Sequence, residues 1–458
     1  MSYYGVVDMH STPLRVKLEN VKKLIRREAK GPMYKLLNKL HPADIAYIIK
    51  NLQDIDRRRI WGYLHDKERL AGIILELDEP DIIEFFTGVN PNKAADVLME
   101  MESDDVTFVL RLLPEEIRRT VLESIEASDL SEVEELLHYP EKTAGAMMNT
   151  EYIAISEDTT VKEATKLIHQ AEDIELVYYL YVTDSENRLT GVLSLRQLIL
   201  NPPEKCLKDI MTKDVIFVLD DTNREDVAQL VAKYDFMALP VVDDGRHLVG
   251  VITFDDIIDV IQDEAAEDIY KITGTSQDAL DAGVVKSARV RLPWLFITLI
   301  GGLFSGVVIT HYQGRVNDFL VLASFMPVIM AMGGNVGSQS STLTVRGLAL
   351  GNVDPRRMWP VLFKELRVGL LMGITSAIPI SIIAPFVNAG SNVGIIVGVS
   401  LFCAMSFAAF TGTLVPMMLI RFRVDPAVAS GPFISMLNDI TGLTIYFTVA
   451  ITLLSFLK

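Results

Sequence analysis

The sequence predicts a multidomain membrane protein: an α-helical N-terminal superhelical domain, a tandem pair of α/β domains, a connecting helix and a five-helix transmembrane domain. Three observations carry this. Charge is split, because residues 1–290 hold 33 basic and 55 acidic side chains, a net −22, whereas the chain from Arg291 onward holds 10 and 5, a net +5. One order of short strands and helices occurs twice between residues 140 and 260. Five apolar runs follow Arg291, each able to supply the roughly 20 residues a spanning helix needs. The resulting divisions are 1–139, 140–260, 261–290 and 291–458.

From Val21 onward, apolar residues recur at helical spacing, and helices are expected to open at Pro42, Pro91 and Pro114, since proline with acidic or polar neighbours is a good first turn. The spacing of these openings predicts short helix pairs stacked as in repeat proteins. Ser103-Asp104-Asp105 reads first as a helix cap and second as part of a cation site between domains.

The repeat runs Met147-Met148-Asn149-Thr150, strand, helix 161–170, strand, Leu189-Thr190-Gly191-Val192. It then runs again as Ile210-Met211-Thr212-Lys213, strand, helix, Ala238-Leu239-Pro240-Val241-Val242-Asp243 and Leu248-Val249-Gly250-Val251-Ile252-Thr253. These phrases resemble a tandem pair of CBS domains, sensor modules that commonly bind adenine nucleotides. In such pairs an Asp of the last helix holds the ribose. Asp256 stands there in the second copy and Gln197 in the first, so the resemblance implies ATP at one half only.

In the connecting segment 261–290, Glu264, Glu267 and Asp268 fall three and four apart on one helix face. Their mutual repulsion, a few tenths of a kcal/mol per pair, would be relieved by a divalent cation. The plainer reading is a solvated acidic face.

The five runs are Leu292–Tyr312, Phe319–Val345, Met358–Val387, Val393–Ile420 and Gly431–Leu457. Basic residues gather at Lys286, Arg289 and Arg291, at Arg346, Arg356, Arg357, Lys364 and Arg367, and at Arg421 and Arg423, whereas the opposite loops carry chiefly Arg315, Asp318 and Lys458. Positive-inside counting then puts the N-terminus in the cytoplasm and the C-terminus outside. No apolar h-region precedes the polar start, so no cleaved signal peptide is expected.

Asp439 lies about two turns into the last run. A carboxylate at that depth costs several kcal/mol unless it faces protein or water, which favours cation binding over a structural hydrogen bond. The run Met332-Gly333-Gly334-Asn335-Val336-Gly337-Ser338 looks too glycine-rich for an undisturbed helix, so it is expected either to free carbonyls toward a pore or to pack helices closely. An odd number of spans with a single intramembrane carboxylate suggests a pore built by two chains.

Gly333-Gly334-Asn335-Val336-Gly337, Val345-Arg346-Gly347-Leu348-Ala349-Leu350-Gly351, Asp425-Pro426-Ala427 and Asn438-Asp439-Ile440-Thr441-Gly442 together resemble the MgtE family of magnesium channels, and the domain order matches over nearly the whole chain. The resemblance implies a homodimeric Mg2+ channel, multi-pass in the lipid of the bacterial inner membrane and closed by cytosolic Mg2+ bound among acidic domains. By position, it places the pore site at Asp439, the backbone of Gly334 and Ser435, and Asn335 and Ser338. It places regulatory Mg2+ at Glu264, Glu267, Asp268, Glu225, Asp235, Asp256 and Asp425, with Asn223 standing where an acidic residue is expected.

Other functions fit less well. An acidic soluble part does not suit nucleic acid. No Walker motif is present, the seven His show no ligand pairing, and Cys206 and Cys403 show no metal or disulfide spacing, so no enzyme is expected. Mn2+, Co2+ or Ni2+ would favour imidazole or thiolate, which are absent around Asp439. A membrane-anchored nucleotide sensor would need neither Asp439 nor the glycine run.

Overall fold

The computed structural model describes residues 12–170, 178–276, 283–314, 319–349, 351–387, 391–422, 424–429 and 431–457. Arg315, Asp318, Arg423 and Lys458, counted above for topology, lie outside these, as do residues 277–282 of the connecting segment. The chain divides into two compact units, Met1–Val260 and Ile261–Lys458.

The first unit opens with helices from α1 (Thr12–Arg26) to α10 (Ala127–His138). Two begin as the sequence predicts. In α3 (Pro42–Lys50) and α7 (Pro91–Leu98) proline follows a capping residue, and the His41 and Asn90 side chains accept the Ala43 and Asn92 N–H groups at 3.3 and 2.9 Å. Pro114 instead is itself the N-cap of α9 (Glu115–Leu122). Alternate helices stack, α3 on α5 (Lys67–Leu75), α5 on α7, and α7 on α9, which is the superhelical arrangement expected. α3, α5 and α7 bury Ile45, Ile48, Ile49, Ile73, Val97 and Leu98 in one core, to which α6 (Glu79–Gly88) adds Phe85. Each such side chain stabilises by about 1.5–3 kcal/mol against exposure.

The duplicated module forms two three-stranded sheets of the same topology. In the first, β1 (Ala154–Ser156) pairs parallel with β2 (Tyr179–Thr183), which pairs antiparallel with β3 (Leu189–Ser194). β4 (Val218–Leu219), β5 (Ala238–Val242) and β6 (Leu248–Thr253) repeat the pattern. The "Met-Asn-Thr" and "Met-Thr" phrases have a reciprocal role: Asn149 bridges Val251 of the second copy, and Thr212 bridges Val192 of the first. Met148 and Met211 lie where a Cβ on Gly250 and Gly191 would stand, so those strand glycines make room for the other copy's methionine. Tyr181, Leu189, Val242, Leu248 and Val251 complete a core shared by both copies.

Helix α14 (Phe254–Thr273) follows β6 without a break, so the connecting helix is a continuation of the module's last helix rather than an element beginning at 261.

In the second unit, five stretches are long and apolar enough to cross a membrane. They are α15 (Val284–Gln313), α16 (Phe319–Ala323) with α17 (Met326–Ala349), α18 (Met358–Val387), α19 (Ser391–Arg421) and α20 (Pro432–Leu457). The glycine run does not disturb the second span, because α17 is continuous from Met326 through Ala349. The interruption falls earlier, at Ser324 and Phe325 just before Pro327, and the Tyr446 hydroxyl donates to the Leu322 carbonyl at 2.8 Å there. The Leu322 carbonyl also takes the Phe325 N–H at 3.1 Å, so a tight turn and a neighbouring helix together serve the backbone where the span breaks. Glycine survives inside α17 for another reason. Asn438 of α20 sits where a Gly337 Cβ would be, and a Cβ on Gly412 of α19 would strike the Gly337 carbonyl. Close approach of three helices is what glycine provides.

Candidate metal sites

Around Asp439, the carried-over pore residues occupy the flanks of two helices. Ser435 and Asp439 are i, i+4 neighbours on α20, and Gly334 and Ser338 are i, i+4 neighbours on α17. All four are half-buried and Asn335 is exposed. A Cβ on Gly337 would lie 3.3 Å from Ile434 Cγ2 and one on Gly442 4.0 Å from Ile329 Cγ2, so these two contacts bracket Gly334 and Asp439 at similar depth. Nothing lies within 4 Å of a Cβ built on Gly334. The packing explanation therefore fits Gly337, and open space fits Gly334. Because α17 and α20 are continuous, their carbonyls are held in helical bonds rather than freed.

Asp439 is not the only carboxylate in a span. Glu365 of α18 is 8% exposed, and Ser340 of α17 donates to it at 3.3 Å. Its charged neighbours Lys364 and Arg367 are exposed, and that flank disguised it in the sequence as part of an interfacial cluster.

The first unit holds a tighter group of acids. The Ser103-Asp104-Asp105 segment opens α8 (Ser103–Leu112), but Glu102 is the N-cap position and makes no side-chain cap bond, which corrects the capping reading. Ser103 Oγ instead accepts the Thr150 N–H at 2.9 Å, and Asn149 Nδ2 donates to Glu102, which ties the start of α8 to the CBS module. Asp104 is 8% exposed, and its Oδ1 has no hydrogen-bond partner among the described residues. Burial, then the neighbouring Asp256 charge, push the Asp104 carboxyl well above the usual range. The same two causes, with Glu102 next, push Asp105 up to about 7. Asp256 rises to about 6, mainly through burial, although the Thr253 hydroxyl donating at 2.6 Å holds it down. A buried carboxylate in this condition needs a proton or a cation.

In the second unit, Asp425, Glu264 and Glu267 all act on Asp268 of α14, and Asp425 precedes a 3-10 turn and accepts the Ala427 N–H at 2.9 Å. Lys271 Nζ lies 2.7 Å from Asp425 Oδ2 and 2.8 Å from Glu267 Oε1. Burial works against its charge, yet those two bonds hold its pKa above the ordinary lysine value. Burial first, then Asp425, raise Asp268.

The remaining carried-over residues stand apart. Glu225 lies in the first turn of α13 (Arg224–Tyr234), where Asn223, the non-acidic residue, is the N-cap and accepts the Glu225 N–H at 2.9 Å. Asp235 is the exposed C-cap in the left-handed region, with φ 55°. At 1.5 Å per residue the helix separates the two by about 15 Å. Among the described residues, no group of three or more His, Cys, Asp or Glu converges as it would around a bare metal ion. Mg2+ does not require this, because it keeps several waters and binds through one or two carboxylates.

The fold defines a five-span membrane protein that carries a helical superhelix and a CBS pair, with buried or half-buried carboxylates in both units. Family models match accordingly: a divalent cation transporter domain over residues 326–449, an MgtE intracellular N domain over 40–142, and CBS domains over 144–203 and 207–263. The chain is 36% identical to the magnesium transporter MgtE of Bacillus subtilis (strain 168), covering 91% of this chain and 92% of that one. It is 35% identical to the magnesium transporter MgtE of Thermus thermophilus, covering 92% and 94%. A crystal structure of the cytosolic domain of the Mg2+ channel MgtE in complex with ATP aligns with TM-score 0.51 and 33% identity over 53% of this chain and 99% of that one. The chain belongs to the MgtE family.

Proposed function

We propose that this protein conducts Mg2+ across a membrane at a site centred on Asp439, and that Mg2+ at the carboxylates of both units favours its closed state. The observation that carries the pore reading is a half-buried carboxylate in a span, level with the open face of Gly334. With helical carbonyls engaged, Gly334 and Ser435 would meet the ion through its own waters, and Asn335 and Ser338 would do likewise. That suits an ion that dehydrates reluctantly and must also leave. Regulation rests on Asp104, Asp105 and Asp256 in one unit and Glu264, Glu267, Asp268 and Asp425 in the other. Closure gains only as much as the closed state's extra affinity for Mg2+.

Glu225 and Asp235 are too far apart to share an ion, and a homodimer would let each share a hydrated Mg2+ with a second copy. Positive-inside counting supports a cytoplasmic N-terminus. A nucleotide is a second ligand, favoured by the ATP complex of the related cytosolic domain. Asp256 would bind it at the cost of its place among the acids of α8.

The test is Mg2+ uptake by liposomes that contain only this protein. Asp439→Asn is expected to reduce uptake at least about a hundredfold while leaving the assembly intact by size exclusion. Flux close to that of the wild type in Asp439→Asn would sink the pore reading. Uptake of Mn2+, Co2+ or Ni2+ in preference to Mg2+ would sink the choice of ion.

A further inference from the structure

Within the membrane unit, one polar side chain is buried where an apolar one would be less costly. Asn438 is 1% exposed, and its carboxamide is wedged where α17, α19 and α20 meet. Its Oδ1 accepts from the Thr411 hydroxyl of α19 at 3.0 Å. Among the described residues its Nδ2 has no hydrogen-bond partner, and it lies in the space a Gly337 side chain would fill. Thr411 Oγ1 also lies 3.1 Å from the Phe407 and Ala408 carbonyls, which share its single proton with Asn438 Oδ1. A buried N–H left unpaired is unfavourable. A leucine or alanine would avoid that penalty, so packing alone gives no reason for asparagine.

We propose that Asn438 is a positioning residue for the conduction site: it pins the rotation of α20 about its axis and thereby fixes where the next residue, Asp439, presents its carboxylate. Successive residues are about 100° apart on a helix, so holding Asn438 in the Gly337 notch determines the bearing of Asp439. Thr411 supplies a directional bond from α19, and the notch in α17 supplies steric closure from the other side. The pin reaches the same helix that carries Gly334, Asn335 and Ser338, so it also sets the depth of α20 against them. Gly337 then has a specific task, which is to leave room for the carboxamide. This assignment rests on the proposed conduction role of Asp439 and adds the device that aims it.

The experiment measures initial Mg2+ uptake into liposomes against Mg2+ concentration, which separates the half-saturating concentration from the maximal rate. Thr411→Val, which keeps the shape and removes the donor, and Asn438→Ala are each expected to raise the half-saturating Mg2+ about tenfold, the usual cost of losing an outer-shell support. Thr411→Ser is expected to restore the wild-type value. Gly337→Ala should raise it in the wild-type background and add much less in Asn438→Ala, where only the Ile434 contact at 3.3 Å is left. If Thr411→Val and Asn438→Ala lower only the maximal rate or the yield of folded protein, with half-saturation unchanged, Asn438 is a packing residue and the proposal is overturned. Additive effects of Gly337→Ala and Asn438→Ala would overturn it as well. Asp439→Asn is run alongside. Normal flux there would remove the conduction reading itself, whereas lost flux there with unchanged half-saturation in the Asn438 and Thr411 variants would remove only the pin.

Discussion

In the first unit, Asp104, Asp105 and Asp256 are buried beside one another, and no basic side chain is among the main influences on them. In the second unit, Glu267 and Asp425 close on the ammonium of Lys271, with Asp268 and Glu264 next to them. Both groups concentrate negative charge, yet among the described residues only the second carries its own cation. The difference bears on how each can respond to a divalent ion. Acids without a counter-ion are relieved only by protons or by an ion from solution, so occupancy changes their energy greatly. Glu267 and Asp425, which Lys271 bridges, are already relieved, and an ion coming to them must compete.

The largest way to break this contrast is to neutralise the first group. Asp104→Asn, Asp105→Asn and Asp256→Asn combined keep the shapes and remove the repulsion. Raised carboxyl pKa values are a destabilisation of the charged folded state at neutral pH, at 1.36 kcal/mol per unit. Part of the gain is offset by burying amides, so the triple variant is expected to be more stable than the wild type by about 2 kcal/mol in chelator at pH 8. It should also lose most of the thermal stabilisation that Mg2+ confers. Scanning calorimetry of the full chain with and without Mg2+ reads both. A triple variant that Mg2+ stabilises as much as it does the wild type would show that this group is not a sensor.

A smaller effect sharpens the same point through pH. Asp105 and Asp256 have folded-state values of about 7 and about 6, above the ordinary carboxyl value they would have in the unfolded chain. The folded form therefore binds more protons between these limits. The stability this contributes is fully present below the unfolded pKa, near 4, and is lost as pH rises through 6 and 7. In chelator, the melting temperature of the first unit should fall between pH 5.5 and pH 8. Saturating Mg2+ should flatten that fall, since it relieves the same charge without protons. A profile unchanged by Mg2+ would count against direct binding.

The sequence shows one of these groups far better than the other. Glu264, Glu267 and Asp268 share a helix face by spacing alone, and the five spans and the duplicated module follow from periodicity and from repeated phrases. The meeting of Asp104 with Asp256 joins residues 152 positions apart, and no local pattern announces it. Asp104-Asp105 looked like a cap because acids at a helix start commonly are, and only the fold turns them inward. Glu365 was hidden by Lys364 and Arg367 on either side, although its i, i+4 relation to Gly369 on the buried face of α18 was a usable signal. The glycine run misled in a different way. Glycine weakens an isolated helix, but here the neighbours that need its small size also hold the helix together.

Lys271 offers the finest test, because it asks whether the second group differs from the first through one ammonium. Lys271→Met keeps the aliphatic stem and removes the charge that Asp425 and Glu267 share. If the lysine stands in for a metal ion, its loss leaves those carboxylates in the condition of the first group, and Mg2+ should then bind more tightly. The pair distances are short but the side chains are about one-third exposed, so solvent already screens much of the attraction, and such pairs are worth at most about 1 kcal/mol. The concentration of Mg2+ that protects the 261–276 segment from protease is therefore expected to fall by about two- to fivefold. Lys271→Arg, which preserves the charge, should leave it near the wild-type value. A rise in that concentration for Lys271→Met would mean that the lysine is a latch holding α14 to Asp425 rather than a competitor. No change would mean that Asp425 and Glu267 do not bind the ion, and the contrast between the two groups would then lie in function as well as in charge.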